Sequence, residues 1–280
     1  MHNVIVVNGR RPLSIDATPT RIEAKLAEEA AASRLAVRQD ELRALQELMF
    51  ASEANGVLVV LQGMDAAGKD VIIQNVFATA TAEAIRVEHL TAMTEMEEAH
   101  DFLWRAHAVC PARGELVIFD RSYYEQVINP IVYDDAPEDL IDERCEDIVA
   151  FERLLRRGGT VIVKVLLHVG FDEQEKRLHE REASEETAWK ISANDWIGRT
   201  RWPRYMAAFE RVVNGTATPE SPWHVVPADD QALLNLAVAE LLVAELSTYR
   251  EDWIDERRRI GDEKRDEAEQ ARAEGGGDAE

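Results

Sequence analysis

Residues 57–78 constrain the fold more than any other stretch. The apolar run Val57-Leu58-Val59-Val60 leads into Leu61-Gln62-Gly63-Met64-Asp65-Ala66-Ala67-Gly68-Lys69-Asp70, and a helix-forming segment, 71–78, follows. Strand, glycine-bearing loop and helix in that order make a phosphate-binding P-loop. Gly63 and Gly68 permit tight turns that aim backbone N–H groups at phosphate oxygens. The helix start adds the positive end of its dipole, and Lys69 adds a mobile cation. The hydroxyl residue that usually follows the lysine as a Mg²⁺ ligand is absent. Asp70 stands there, so Asp65, inside the loop, is the first candidate to replace it.

The rest of the chain supplies what such a loop needs. An apolar stripe near helical period predicts a helix over 19–52, opened by Thr18-Pro19, and short apolar runs predict strands over 84–90, 114–120, 160–168 and 223–226. Helices are predicted over 94–110, 136–157, 172–186, 193–214 and 231–249. Strands alternating with helices imply an α/β fold with a parallel sheet covered on both faces. Residues 1–17 are expected to be a loosely attached lead-in, and 18–250 the folded domain. The segment 251–280 is almost wholly charged or small. It is expected to be a frayed helix or a disordered tail whose start Trp253 and Ile254 dock.

Charge and cysteine content narrow the function classes. The 280 residues carry a formal net charge of −22, which argues against a nucleic-acid partner, since phosphate backbones are bound through lysine and arginine. No apolar run long enough for a membrane span and no secretory signal pattern are seen, so a cytoplasmic protein without a membrane partner is expected. Cys110 and Cys145 are expected to be reduced thiols without a role. The histidines show no ligand spacing for a transition metal. Lysine is scarce, occurring only at 25, 69, 164, 176, 190 and 264, which makes one inside a phosphate loop more telling.

A second acidic strand end completes the phosphate chemistry. Val117-Ile118-Phe119-Asp120 has the form of a Walker B strand that would emerge beside the loop strand, letting Asp65 and Asp120 share Mg²⁺. Arg121 is placed to stabilise charge on a transferring phosphoryl group. Lys176, Arg177 and Arg181 sit about one helical turn apart, followed by Lys190, where a basic lid would close over phosphates (about 172–195). The plainer reading is that they pair with Glu173, Glu175, Glu180 and Glu182 on an exposed helix. Tyr123, Tyr124 and Trp104 are either core or contacts to a base or acceptor.

The chain resembles the polyphosphate kinase 2 family, closest to the branch acting on nucleoside mono- and diphosphates. The resemblance rests on residues 63–70, His100-Asp101-Phe102-Leu103-Trp104-Arg105, Ile118-Phe119-Asp120-Arg121-Ser122-Tyr123-Tyr124-Glu125, Trp189-Lys190-Ile191-Ser192 and the segment 221–229, in order between about 20 and 250. It implies a thymidylate-kinase-like P-loop fold of three layers, with a helical lid, an N-terminal helical extension and a homo-oligomer. It also implies Mg²⁺-dependent phosphoryl transfer between inorganic polyphosphate and nucleotides, AMP, ADP and ATP or their guanine equivalents. By that resemblance Asp65, Lys69, Asp120 and Arg121 are catalytic, with Asp65 and Asp120 holding the metal. Gly63, Ala66, Ala67, Gly68, Asp70, Arg105, Tyr124, Arg177, Arg181 and Lys190 would then bind phosphate or nucleotide.

Departures from that pattern share a direction. A glycine after the Lys-Asp pair is Val71, a lysine is Thr91, an arginine is Ile131, and a lysine and an arginine are Gln231 and Asn235. The Asn/Asp-Pro-x-Lys of the lid is replaced by Ser184-Glu185-Glu186-Thr187. About five charges that would face phosphate are missing, each charge-assisted contact being worth about 1.5–3 kcal/mol. Two other readings therefore stand beside the family activity: a divergent P-loop kinase using ATP on another acceptor, and a catalytically silent nucleotide-binding protein.

Overall fold

The computed structural model describes residues 4–23 and 26–275. Among these residues six strands form one sheet: β1 (Ile5–Val7), β2 (Gly56–Gly63), β3 (Ile85–Glu88), β4 (Leu116–Asp120), β5 (Thr160–His168) and β6 (Trp223–Pro227). Their spatial order is β1-β6-β5-β2-β4-β3. All pairings are parallel except that of β1 with β6, where Val6 lies opposite His224. β2, β4 and β5 are buried along nearly their whole length. Their unbroken Val, Ile and Leu runs fit that position, since a central parallel strand has helices on both faces.

The described residues also form eleven α-helices, in chain order α1 (Glu28–Ser52), α2 (Lys69–Val76), α3 (Glu95–Glu98), α4 (Trp104–Ala108), α5 (Glu125–Tyr133), α6 (Glu138–Arg157), α7 (Phe171–Ala183), α8 (Ala193–Thr200), α9 (Trp202–Thr216), α10 (Gln231–Ser247) and α11 (Arg250–Gly275). One group packs α1, α2, α10 and α11 together, and another packs α5, α6 and α9. Because β2 lies between β4 and β5, chain connections leave it toward both sides of the sheet. The crevice beyond the carboxyl ends of these strands is where an open α/β sheet accepts ligands.

Several expectations are corrected. The N-terminal segment is no loose lead-in: β1 closes one edge of the sheet, and Ile15 is buried. The first long helix begins at Glu28, not near 19. Thr18 donates its hydroxyl to Ser14 O instead of capping a helix. The predicted helix over 94–110 is two short helices, and that over 193–214 breaks where Pro203, lacking an N–H, sits in the first turn of α9. α5 was not foreseen because it contains Pro130. Proline leaves the carbonyl four residues back without its helical donor, and Arg144 of α6 donates to that carbonyl, Gln126 O. The charged tail is helical as far as residue 275, and its start is anchored. Trp253 is fully buried and donates its indole N–H to Asn55 Oδ1 at 2.8 Å.

Candidate active site

The loop between β2 and α2 departs from ordinary backbone at three points: Gly63 (φ +149°), Ala66 (φ +60°) and Gly68 (φ +110°). A side chain at Gly63 would meet Leu167 O at 2.8 Å, and one at Gly68 would meet the Gln231 amide at 2.9 Å. The left-handed turn at Ala66 is held by its neighbours. Arg177 donates to Ala66 O and Ala67 O, both at 3.2 Å, to Ala228 O at 2.6 Å, and to Glu173 at 3.1 Å. The buried Gln174 amide donates to Asp65 O at 3.0 Å. One face of α7 thus braces the loop through its carbonyls. Lys69 is only 7 % exposed and curls back to donate to Gly63 O and Met64 O at 3.0 and 3.1 Å.

The end of β4 lies beside the loop. Arg121, itself at φ +63°, makes an ion pair with Asp65. Burial works against the Arg121 charge, but Asp65, Glu125 and Asp120 outweigh it, so the guanidinium is held protonated more firmly than usual. Burial pushes the Glu125 carboxyl upward, against the pull of Arg121 and Lys69. Asp120 is 8 % exposed. Its Oδ2 lies 3.2 Å from His89 Nδ1, while its Oδ1 is buried and has no hydrogen-bond partner.

An unpartnered buried carboxylate oxygen of this kind costs about 1–3 kcal/mol unless something satisfies it. A hard cation would, and Asp65 lines the same cleft. Among the described residues no group of three or more His, Cys, Asp or Glu converges on a metal position. Two carboxylates suit Mg²⁺, which keeps several waters and takes its other ligands from substrate phosphates. The residues therefore fit the ion.

Across the cleft, Lys190 donates to Asp70 Oδ2 at 2.9 Å and Arg181 lies 3.4 Å from Asp195. Burial pushes the Asp70 carboxyl up, yet the Lys190 hydrogen bond and the charges of Lys190, Lys69 and Arg181 hold it below its usual value of 3.8. Asp195 goes the other way, raised by burial and by the nearby Asp65. Trp189 stands 78 % exposed at the rim.

Of the residues singled out from the sequence, Asp65, Ala66, Gly68, Lys69, Asp70, Asp120, Arg121, Arg177, Arg181 and Lys190 line this one cleft of about 1520 Å³. Gly63, Ala67, Arg105 and Tyr124 do not. Arg105 is buried under the segment after β3, donating to Thr91 O at 2.7 Å. Tyr124 belongs to the core, its hydroxyl donating to Glu152 at 2.6 Å. Arg177 lines the cleft, but its guanidinium is engaged by Glu173, as the plainer reading expects, and by the carbonyls of Ala66, Ala67 and Ala228. The sequence reading missed His89, Gln174 and Asp195. His89 follows a strand at its carboxyl end, where parallel sheets place ligand-facing residues, and that position was the available signal.

A parallel sheet whose central strand feeds a lysine-bearing phosphate loop, with an aspartate ending the adjacent strand and cations crossing from a helical segment, defines a P-loop kinase. A family model described as polyphosphate kinase 2 matches residues 25–252. An AMP/ADP-polyphosphate phosphotransferase of Meiothermus ruber is 42% identical over 218 residues, covering 78% of this chain and 82% of that protein. An ADP-polyphosphate phosphotransferase of Rhodopseudomonas palustris is 35% identical, covering 77% and 79%. The crystal structure of polyphosphate kinase 2 from Arthrobacter aurescens TC1 superposes with a TM-score of 0.82 at 34% identity, covering 85% of this chain and 86% of that one. The chain belongs to the polyphosphate kinase 2 family.

Proposed function

We propose that this chain transfers a phosphoryl group between inorganic polyphosphate and a nucleoside mono- or diphosphate, with Mg²⁺ held at Asp65 and Asp120. The observation that carries the reading is the juxtaposition of the loop lysine, the Asp65–Arg121 pair and the unpartnered Asp120 Oδ1 around one cleft. When bound, the ion would screen charge between the phosphates. Lys69, released from the loop carbonyls by a phosphate oxygen, would hold the transferring group, and Arg121 would stabilise its developing charge. Phosphoryl transfer needs positioning and charge neutralisation more than covalent help, and these side chains supply both. Closure of the segment bearing Arg181 and Lys190 would exclude water and suppress hydrolysis.

The relatives named above as AMP/ADP- and ADP-polyphosphate phosphotransferases support the choice of substrates. The test is a nucleotide assay with polyphosphate and AMP or ADP in Mg²⁺, and in reverse with ATP, beside Lys69→Ala. Turnover lost in the variant sustains the reading, and turnover unaffected by it removes the reading. Self-association belongs to the same proposal, and a scattering mass equal to one chain would remove that part.

A further inference from the structure

We infer that the phosphate donor taken by this cleft is a short chain delivered as its divalent-cation complex, and that added length contributes little to its binding. The inference rests on the phosphotransferase reading above. Nine carboxylates and seven lysine or arginine side chains line the cleft, a formal excess of two negative charges. A surface that tracks a long polyanion does so by replacing its counterions with free cations.

Here most of the cations are already engaged. Arg121 pairs with Asp65, Lys176 with Glu173 and Glu180, Arg177 with Glu173, Arg181 with Asp195, and Lys190 with Asp70. Among the described cleft residues, Lys69 and Arg21 alone have no carboxylate partner, and Lys69 sits at the loop itself. Two further carboxylates of the cleft are held in place. Asp229 accepts from Thr20 Oγ1 and from Gly170 N, both at 2.7 Å, and Asp230 caps α10 through Leu233 N at 2.9 Å. Apart from one that Arg21 could meet, each phosphate beyond those held at the loop must therefore break an ion pair or bring its own cation. Beyond the cleft it meets a chain of net charge −22. A compact donor with its metal avoids both costs.

The experiment compares tripolyphosphate with long-chain polyphosphate at equal chain concentration, with saturating ADP and excess Mg²⁺, at about 50 and about 200 mM salt. The expected result is a kcat/KM per chain that agrees within about threefold between the donors at both salt levels. A long-chain value about tenfold or more higher, collapsing as salt rises, overturns the inference. If neither donor is turned over, the phosphotransferase reading fails on its own. Calorimetry on the same two donors, with Mg²⁺ and with chelator, then decides the present point. Similar Kd values per chain that are lost in chelator sustain it. Tighter long-chain binding by about tenfold, binding that survives chelation, or no binding of tripolyphosphate overturns it.

Discussion

Lys190 donates to the Asp70 carboxylate 2.9 Å away, tying the segment after α7 to the first turn of α2. The residue that replaces the usual hydroxyl is thereby made a latch. Both partners are partly exposed, so the pair contributes at most about 1 kcal/mol to stability. Lys190→Met should leave the melting temperature nearly unchanged and raise the KM for the phosphate donor several-fold. Steady-state kinetics with a parallel thermal melt check this, and an unchanged KM would show that the latch has no part in binding.

Asp120 combines burial with an unsatisfied oxygen. Asp120→Asn removes a buried charge while keeping the shape, so the variant should be as stable as the parent or more so. Its phosphoryl transfer should fall on the order of a thousandfold, because the metal position and its charge are lost together. A variant that loses stability and keeps activity would contradict both halves of the argument.

Beneath the site lies a buried ion pair. Lys164, mid-strand and fully enclosed, donates to Glu152 at 2.8 Å and to Thr216 O at 3.0 Å. Glu152 also accepts from Tyr123, Tyr124 and Ser221. Burial lowers the affinity of Lys164 for its proton, and Glu152 opposes that. Lys164→Met leaves the carboxylate enclosed without its cation and should cost about 3–5 kcal/mol in urea unfolding. A loss below about 1 kcal/mol would show that the hydroxyl donors alone suffice.

His168, at the end of β5, sets a pH dependence. Burial lowers its proton affinity below the usual 6.5, although Thr18 O, Asp229, Asp16 and Ile15 favour the charged form. A histidine whose folded pKa lies below its unfolded one takes up its proton first in the unfolded chain. Stability is thus unaffected well above pH 6.5 and falls as pH drops from 6.5 toward the lowered folded value. His168→Gln, able to keep the bond to Thr18 O, should flatten this part of the profile. Urea midpoints between about pH 7.5 and 5.5 read the difference, and identical slopes would reject it.

The charged C-terminal helix divides at its anchor. Trp253 is enclosed against Tyr249 and bonded to Asn55, whereas the surface beyond about residue 262 is exposed. Removing 263–280 should leave the melting temperature unchanged, and Trp253→Ala should cost about 3–5 kcal/mol. Thermal melts of the two variants separate these outcomes, and equal losses would mean that the whole helix is docked.

The loop, Lys69 and Asp120 were legible because strand, turn and helix are written in consecutive residues, and because the burial of β2 and β4 follows from their apolar runs. Tyr124 was not, since nothing near it in the chain announces Glu152 or Lys164. Arg177 was recognised as basic and near phosphate chemistry, but its carbonyl partners in the loop lie more than a hundred residues away in sequence. The α5 helix was hidden because Pro130 looks like a stop, and only Arg144, supplied by another helix, makes it tolerable.

The pairing of Ile5 with Val225 joins the first and the last of the described strands. The sheet edge at β6 is therefore completed by a segment more than two hundred residues away in the sequence. Until β1 arrives, Trp223, Val225 and Val226 form part of an unpaired apolar margin, the kind of edge that recruits strands from other chains. Closing so wide a loop is slow by its topology. Loss of the first few residues should therefore show itself during refolding, as concentration-dependent aggregation, before it shows in the finished enzyme.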